Sequence, residues 1–352
     1  MTAPLQSILG HLEQLVAHDT QNPPRNLNPE SSLFATLREA LPGFETSIDD
    51  GGEGCLGFLA TRGTTDTLFN VHIDTVPATD AWTKDPFTLE RGNDRAIGLG
   101  ACDIKGAAAC LLAAAAETDA PAAFLFTTDE EAGSSVAVRR FLETSPRYER
   151  VIVGEPTQSI AVTRHRGIYA GTLTLAGEAG HASQGGLSAV HEAARFITQA
   201  LTESWAKDDR LNFGRIEGGI KPNMIAPSCE IQFGLRCMPG ENPDPRVERL
   251  RVLAGAALET DTTRFWGPAL PPADPEARFR QVELNEYFYG LDIEVGSPVD
   301  FWTEAALFSK AGLPVAVLGP GDIAQAHTAD EFVLYDHLTT AYNAYLKILT
   351  DG

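Results

Sequence analysis

A chain of 352 residues is long enough for two domains, and its 48 acidic against 27 basic residues give a formal net charge of −21. That balance argues against nucleic acid or an anionic membrane as a partner, since either would be repelled. No apolar run approaches the ~18 residues of a membrane span, Met1-Thr2-Ala3-Pro4-Leu5 lacks the basic-then-apolar start of a signal peptide, and five cysteines without CxxC spacing (Cys55, Cys102, Cys110, Cys229, Cys237) suit a reduced, cytoplasmic setting.

Residues 8–17 carry Ile8, Leu12, Leu15 and Val16 at helical spacing, and Asn22-Pro23-Pro24 opposes any continuation. Residues 67–73, 122–127, 150–153 and 314–318 are short apolar runs that suit strands of a parallel sheet covered on both faces. Helices fit between them over the alanine-rich 106–116 and over a segment reaching Leu142 that Ser134-Ser135 could cap. From about Arg164 the texture changes. A strand over 168–175, a helix over 189–201, strands over 211–217 and 229–237, a helix over 245–258 and a last strand near 263–265 make an α+β pattern. The proline-rich 268–275 then reads as a linker back to the first domain. The expected organisation is an α/β domain over 1–163 and 270–352, a mixed sheet covered by helices, with 164–269 inserted as a smaller α+β domain.

The chemistry-bearing residues fall where those strands run out. An open α/β sheet builds its sites at that edge. His72 and Asp74 lie two apart, so both point to one face, and a carboxylate can hold the ring N–H of a ligating imidazole. Asp103 ends a glycine-rich approach to a helix, either as an N-cap or as a carboxylate bridging two cations. Lys105 beside it reads as a solvated or pairing lysine. Glu130 and Glu131 follow a strand directly, so one can turn to a metal while the other serves as general base. Glu155 and His327 follow two further strands. Each has a bland explanation alone; five donors in this order point to one shared site. Such a site would hold two divalent cations about 3.5–4 Å apart and imply hydrolysis. Oxygen and imidazole donors without thiolate are compatible with zinc, cobalt or manganese.

These segments, together with Gly180-His181-Ala182-Ser183 and His327-x-x-Asp330-Glu331, make the chain resemble the di-zinc deacylase and exopeptidase superfamily along essentially its whole length. The resemblance implies that Asp103 bridges two zinc ions, with His72 and Glu155 completing one shell and Glu131 and His327 the other. Glu130 would be the base, Asp74 the partner of His72, and His181 a stabiliser of the oxyanion that often reaches the partner subunit's site. The inserted domain would serve dimerisation and lid closure in a homodimer.

Within the superfamily, Thr303-Glu304-Ala305 and the glycine-rich approach to His327 are similar to the acetylornithine deacetylase branch. Asn22-Pro23-Pro24-Arg25, Asp300-Phe301-Trp302 and the segment from Gly218 to Pro227 resemble its acetylcitrulline deacetylases most. That resemblance implies hydrolysis of a small N-acetyl amino acid in arginine biosynthesis, with Asn223 and Arg236 meeting the substrate. Arg236 would fork onto its carboxylate. Lys221, beside Asn223, would disfavour an ammonium and suit a neutral ureido group if it faces the pocket. Two other readings stand beside this one. A dipeptide or another N-acyl amino acid could be the substrate, or the chain could be a metal-dependent binding protein, for which Glu130 would have no use.

Overall fold

The computed structural model describes residues 2–131, 133 and 135–351, so the expected cap at Ser134 lies outside the described residues. The chain divides into two compact units. One comprises residues 1–163, 279–297 and 303–352, the other 164–278 and 298–302. The sequence reading places the return at 270; the observed division falls after Arg278 instead, and 298–302 rejoin the second unit.

The first unit is built on a six-stranded mixed sheet in the order Glu45–Asp50, Leu56–Arg62, Ala122–Thr127, Thr67–His72, Arg150–Val153 and Val315–Val317. The last four are parallel; the first two add on antiparallel. Thr67–His72 and Ala122–Thr127 are buried along their whole length, which is why they read as continuous apolar runs. Against the sheet pack Ala3–Val16, Lys105–Ala116 and Tyr335–Thr350, sharing one core with Phe69, Phe124 and Tyr345. The helix Lys105–Ala116 is buried from Lys105 to Ala115, a fit that its alanines permit. Lys105, expected to be solvated or pairing, is fully buried, its Nζ donating to the His18 carbonyl at 3.0 Å.

Because the central strands are parallel, their C-terminal ends share one edge. His72 pairs in register with Thr127, and Val153 with Val317. The loops that leave this edge carry the candidate site.

The second unit is a four-stranded antiparallel sheet in the order Asn212–Gly218, Ser228–Leu235, Ile168–Ala176 and Leu258–Gly267. Ser228–Leu235 alternates strictly, burying Cys229, Ile231, Phe233 and Leu235 against the helices Ala189–Leu201 and Asp244–Ala254. The helix expected over 245–258 ends at Ala254, where Gly255 takes φ +64°, and the last strand begins at Leu258 rather than near 263. Among the described residues no helix is long and apolar enough to cross a membrane.

Candidate metal centre

Four strand ends and one helix approach deliver the donors. His72 closes Thr67–His72; Glu130 and Glu131 follow Ala122–Thr127; Glu155 follows Arg150–Val153; His327 lies in the loop after Val315–Val317. Asp103 precedes the helix Lys105–Ala116 without capping it, since Ile104 holds the N-cap position and makes no side-chain cap. Its carboxylate instead faces both histidines. Oδ1 lies 3.2 Å from His72 Nε2 and Oδ2 lies 3.5 Å from His327 Nε2. Glu155 Oε1 stands 3.7 Å from His72 Nε2, and Glu131 Oε2 stands 3.1 Å from His327 Nε2. The structure thus brings together His72, Asp103 and Glu155 as one group able to hold a metal ion, and Asp103, Glu131 and His327 as a second.

Geometry around the imidazole of His72 tests whether a cation fits. Its Nδ1 faces only acceptors, the Asp74 main-chain carbonyl at 3.1 Å and Asp74 Oδ1 at 3.4 Å, so in the neutral ring Nδ1 carries the proton. The Nε2 lone pair then points at oxygens of Asp103 and Glu155. Lone pairs converging on one buried point require positive charge between them. Burial alone would lower the basicity of His72, yet Glu155, Asp103 and Asp74 carry it well above the usual histidine value. Glu155 is pushed up to about 7 by burial, with His72 opposing and Asp103 and Glu131 adding. His327 is raised to about 9 by its bond to Glu131, against partial burial. Excess acidity in a confined volume is what divalent cations would neutralise, and these five residues fit two of them.

Asp74 is buried but belongs to neither group. Besides His72 it accepts the main-chain N–H of Glu130 at Oδ1 (3.3 Å) and of Glu131 at Oδ2 (3.1 Å). Glu130 is likewise outside both groups. Burial raises its carboxyl well above the ordinary value, His72 opposes, and Glu155, Glu131 and Glu304 add to the rise.

The match to the family described as "Peptidase family M20/M25/M40" spans residues 68–351. The chain belongs to that family. Over 99% of its length, and 99% of the relative's, it is 47% identical to the N-acetyl-L-citrulline deacetylase of Xanthomonas campestris pv. campestris. Two solved structures show the same fold at low identity. A tripeptidase from Staphylococcus aureus has a TM-score of 0.77 at 17% identity, covering 99% of this chain and 98% of that one. A dinuclear metal-binding M20 peptidase from Bacillus subtilis has a TM-score of 0.64 at 16% identity, again covering 99% and 98%.

The other expected residues of this M20 chain lie in the second unit. Gly180–His181 pairs with Met224–Ile225, which sets His181 opposite Met224 and next to Asn223, whose carbonyl accepts the Ala182 N–H at 3.0 Å. His181 is exposed, and its Nδ1 accepts the Ser183 N–H at 3.2 Å. The neutral ring therefore carries its proton on Nε2, where it can donate. Lys221 is exposed two residues before Asn223. Arg236 follows the strand Ser228–Leu235; partial burial, then the charge of Arg210, lowers its basicity, while Asp300 opposes. Asp300 itself pairs with Arg166 at 2.7 Å and Arg210 at 2.6 Å.

Three residues of the first unit took no role in the sequence reading. Glu331 is buried and accepts three N–H groups of the Asp103 turn, from Gly100 (3.0 Å), Cys102 (2.7 Å) and Asp103 (2.8 Å). It ties the His327 loop to the Asp103 turn, with burial and then Asp103 raising its carboxyl to about 8. Glu304, buried beside Thr127, is also raised to about 8, first by burial. Asn22 donates to Asp74. Their signal in the sequence was position inside a family-like motif, with nothing to assign a task.

Proposed function

We propose that this M20 hydrolase removes the acetyl group from an Nα-acetyl amino acid in arginine biosynthesis, acting on N-acetylcitrulline in preference to N-acetylornithine. The observation that carries the chemistry is Glu130, a carboxylate beside two metal-capable groups that share Asp103 and a member of neither. The Xanthomonas relative supports the substrate class.

His72, Asp103 and Glu155 would hold one divalent cation and Asp103, Glu131 and His327 the other, with zinc the expected ion and cobalt or manganese compatible with the same donors. Bound there, such ions supply Lewis acidity, polarising the acetyl carbonyl and making water more acidic. The chain's own groups do the rest. Asp74 fixes the His72 ring and both glutamate backbones. Glu130 accepts the proton of the attacking water and delivers it to the departing amine. Cationic charge in the cluster opposes the upward push on Glu130, as a base working near neutral pH requires. His181 donates from Nε2 to the oxyanion, Arg236 and Asn223 hold the substrate carboxylate, and Lys221 disfavours a substrate ammonium.

The first unit is the catalytic domain in this reading, and the second serves as lid and dimerisation domain. Asn212–Gly218 is an edge strand with Ile216 exposed, a surface suited to pairing in a homodimer, which light scattering would measure. Five buried, free cysteines support a reducing, cytoplasmic setting.

The test is kcat/KM for N-acetylcitrulline, N-acetylornithine and a set of dipeptides on zinc- or cobalt-loaded protein. Preference for acetylcitrulline is expected. Faster release of amino acids from dipeptides than of acetate would overturn the deacetylase reading, and binding without turnover would leave a metal-dependent binding protein.

A further inference from the structure

The segment from His18 to Asn22 lies on the metal-bearing edge without supplying a donor to either group. It is nonetheless tied to that edge through His18, Thr20, Gln21 and Asn22. Lys105 Nζ holds the His18 carbonyl at 3.0 Å. The Thr20 carbonyl accepts the Thr75 N–H at 3.1 Å, and the Asn22 N–H donates to the Thr75 carbonyl at 2.8 Å, a short parallel pairing just beyond the end of Thr67–His72. Gln21 Oε1 accepts the Ala78 N–H at 2.8 Å. A strap of five residues is therefore laid along the chain that follows His72.

Its end is Asn22, a buried side chain. The orientation of the amide is set by its neighbours. Arg25 Nε donates to Oδ1 at 2.9 Å, so the NH2 group faces the other way. One donation goes to Asp74 Oδ2 at 2.8 Å, the other to the Thr128 carbonyl at 3.3 Å. The bond to Asp74 is the shortest that this carboxylate accepts; the main-chain N–H groups of Glu130 and Glu131 lie at 3.3 and 3.1 Å, and His72 Nδ1 at 3.4 Å.

We propose that Asn22 is a positioning residue of the hydrolytic site: its amide fixes the Asp74 carboxylate, which in turn fixes the ring of His72 and the backbones of Glu130 and Glu131. The proposal rests on the metal-hydrolase reading above and adds a residue to it. Two ligands and the base are aligned through one carboxylate, so its rotation would misplace all three together. Outer partners of this kind typically change metal affinity or activity by about 10–100-fold.

The test uses the full-length chain with N22D and N22A. N22D keeps shape and volume but sets an oxygen against Asp74 Oδ2 where a donor stood. Cation affinity is measured on metal-free protein by calorimetry without substrate, the cobalt-loaded protein is followed by its visible spectrum, and kcat and KM are determined separately. Expected for N22D are cation binding weaker by about 10–100-fold, a changed cobalt spectrum, and a lowered kcat with KM unmoved. Wild-type affinity and spectrum in N22D would overturn the proposal, because a residue that only fills space tolerates that replacement. If N22D does not fold, N22A decides by the same readouts: wild-type values overturn the proposal, and weakened binding with a changed spectrum supports it. A wild-type chain that binds no cation would instead overturn the metal-hydrolase reading, and Asn22's role with it.

Discussion

At the scale of single residues, replacing Glu130 and Glu331 should separate chemistry from support. Glu130→Gln keeps the shape of the side chain and leaves both metal-capable groups intact, so metal content should match wild type while kcat falls by about 10²–10⁴. Elemental analysis beside steady-state rates checks this; near-normal turnover would remove Glu130 as the base. Glu331→Ala should instead weaken cation binding, by about 10–100-fold, because the three N–H groups that hold the Asp103 turn lose their acceptor. Calorimetric titration of the metal-free variant is the measurement. This difference also marks the limit of what could be read in the sequence. His72, Asp103, Glu131, Glu155 and His327 each stand where an apolar run breaks, a local and visible event. Asn22 and Glu331 work through partners 52 and 228 positions away, and no local pattern encodes that.

At the scale of elements, two glycines permit close approach. A Cβ on Gly106 would lie 2.4 Å from the Ala101 carbonyl oxygen, and one on Gly319 would lie 2.6 Å from the Glu155 carbonyl oxygen and 2.8 Å from its nitrogen. Neither glycine has positive φ, so the constraint is space. Gly106→Ala should destabilise the chain by about 1–3 kcal/mol, read from urea unfolding. Gly319→Ala should combine a similar loss with weaker cation binding, since the strain falls on the backbone that presents Glu155. The strands of the parallel half were legible because full burial makes them continuously apolar. Glu45–Asp50 and Leu56–Arg62 were not: Glu45–Asp50 is a polar, largely exposed edge strand without an apolar run. The helix Val136–Glu143 starts where the sequence places it but is capped by a different group. Ser135 occupies its N-cap position without a side-chain cap bond, while the Asp129 carboxylate accepts from Val136 and Ala137, so the residue next to the candidate base anchors a helix.

At the scale of the molecule, the second unit carries a buried histidine that makes it sensitive to acid. His165 is fully buried, its Nδ1 donating to the Arg166 carbonyl at 2.8 Å, and burial pushes its pKa down to about 4. The unfolded chain takes up this proton near the usual 6.5, whereas the folded chain refuses it until about 4. Stability from this group is therefore complete above the upper value and falls as pH drops through the window, by about 3 kcal/mol in all. Urea titrations of wild type and His165→Gln above and below that window should show the wild type losing about 3 kcal/mol more than the variant as pH falls. The general plan, an α/β unit interrupted by an α+β unit, was visible in the change of texture near Arg164; the return point was not, because residues 298–302 rejoin the second unit after a long helix.

Titrating metal-free protein with zinc or cobalt while following acetate release from N-acetylcitrulline tests whether the five converging donors make this chain a two-cation hydrolase. Negligible release is expected without cation, with a rise that breaks at two per chain, one for each group. Full activity in metal-free protein would contradict the two-cation reading.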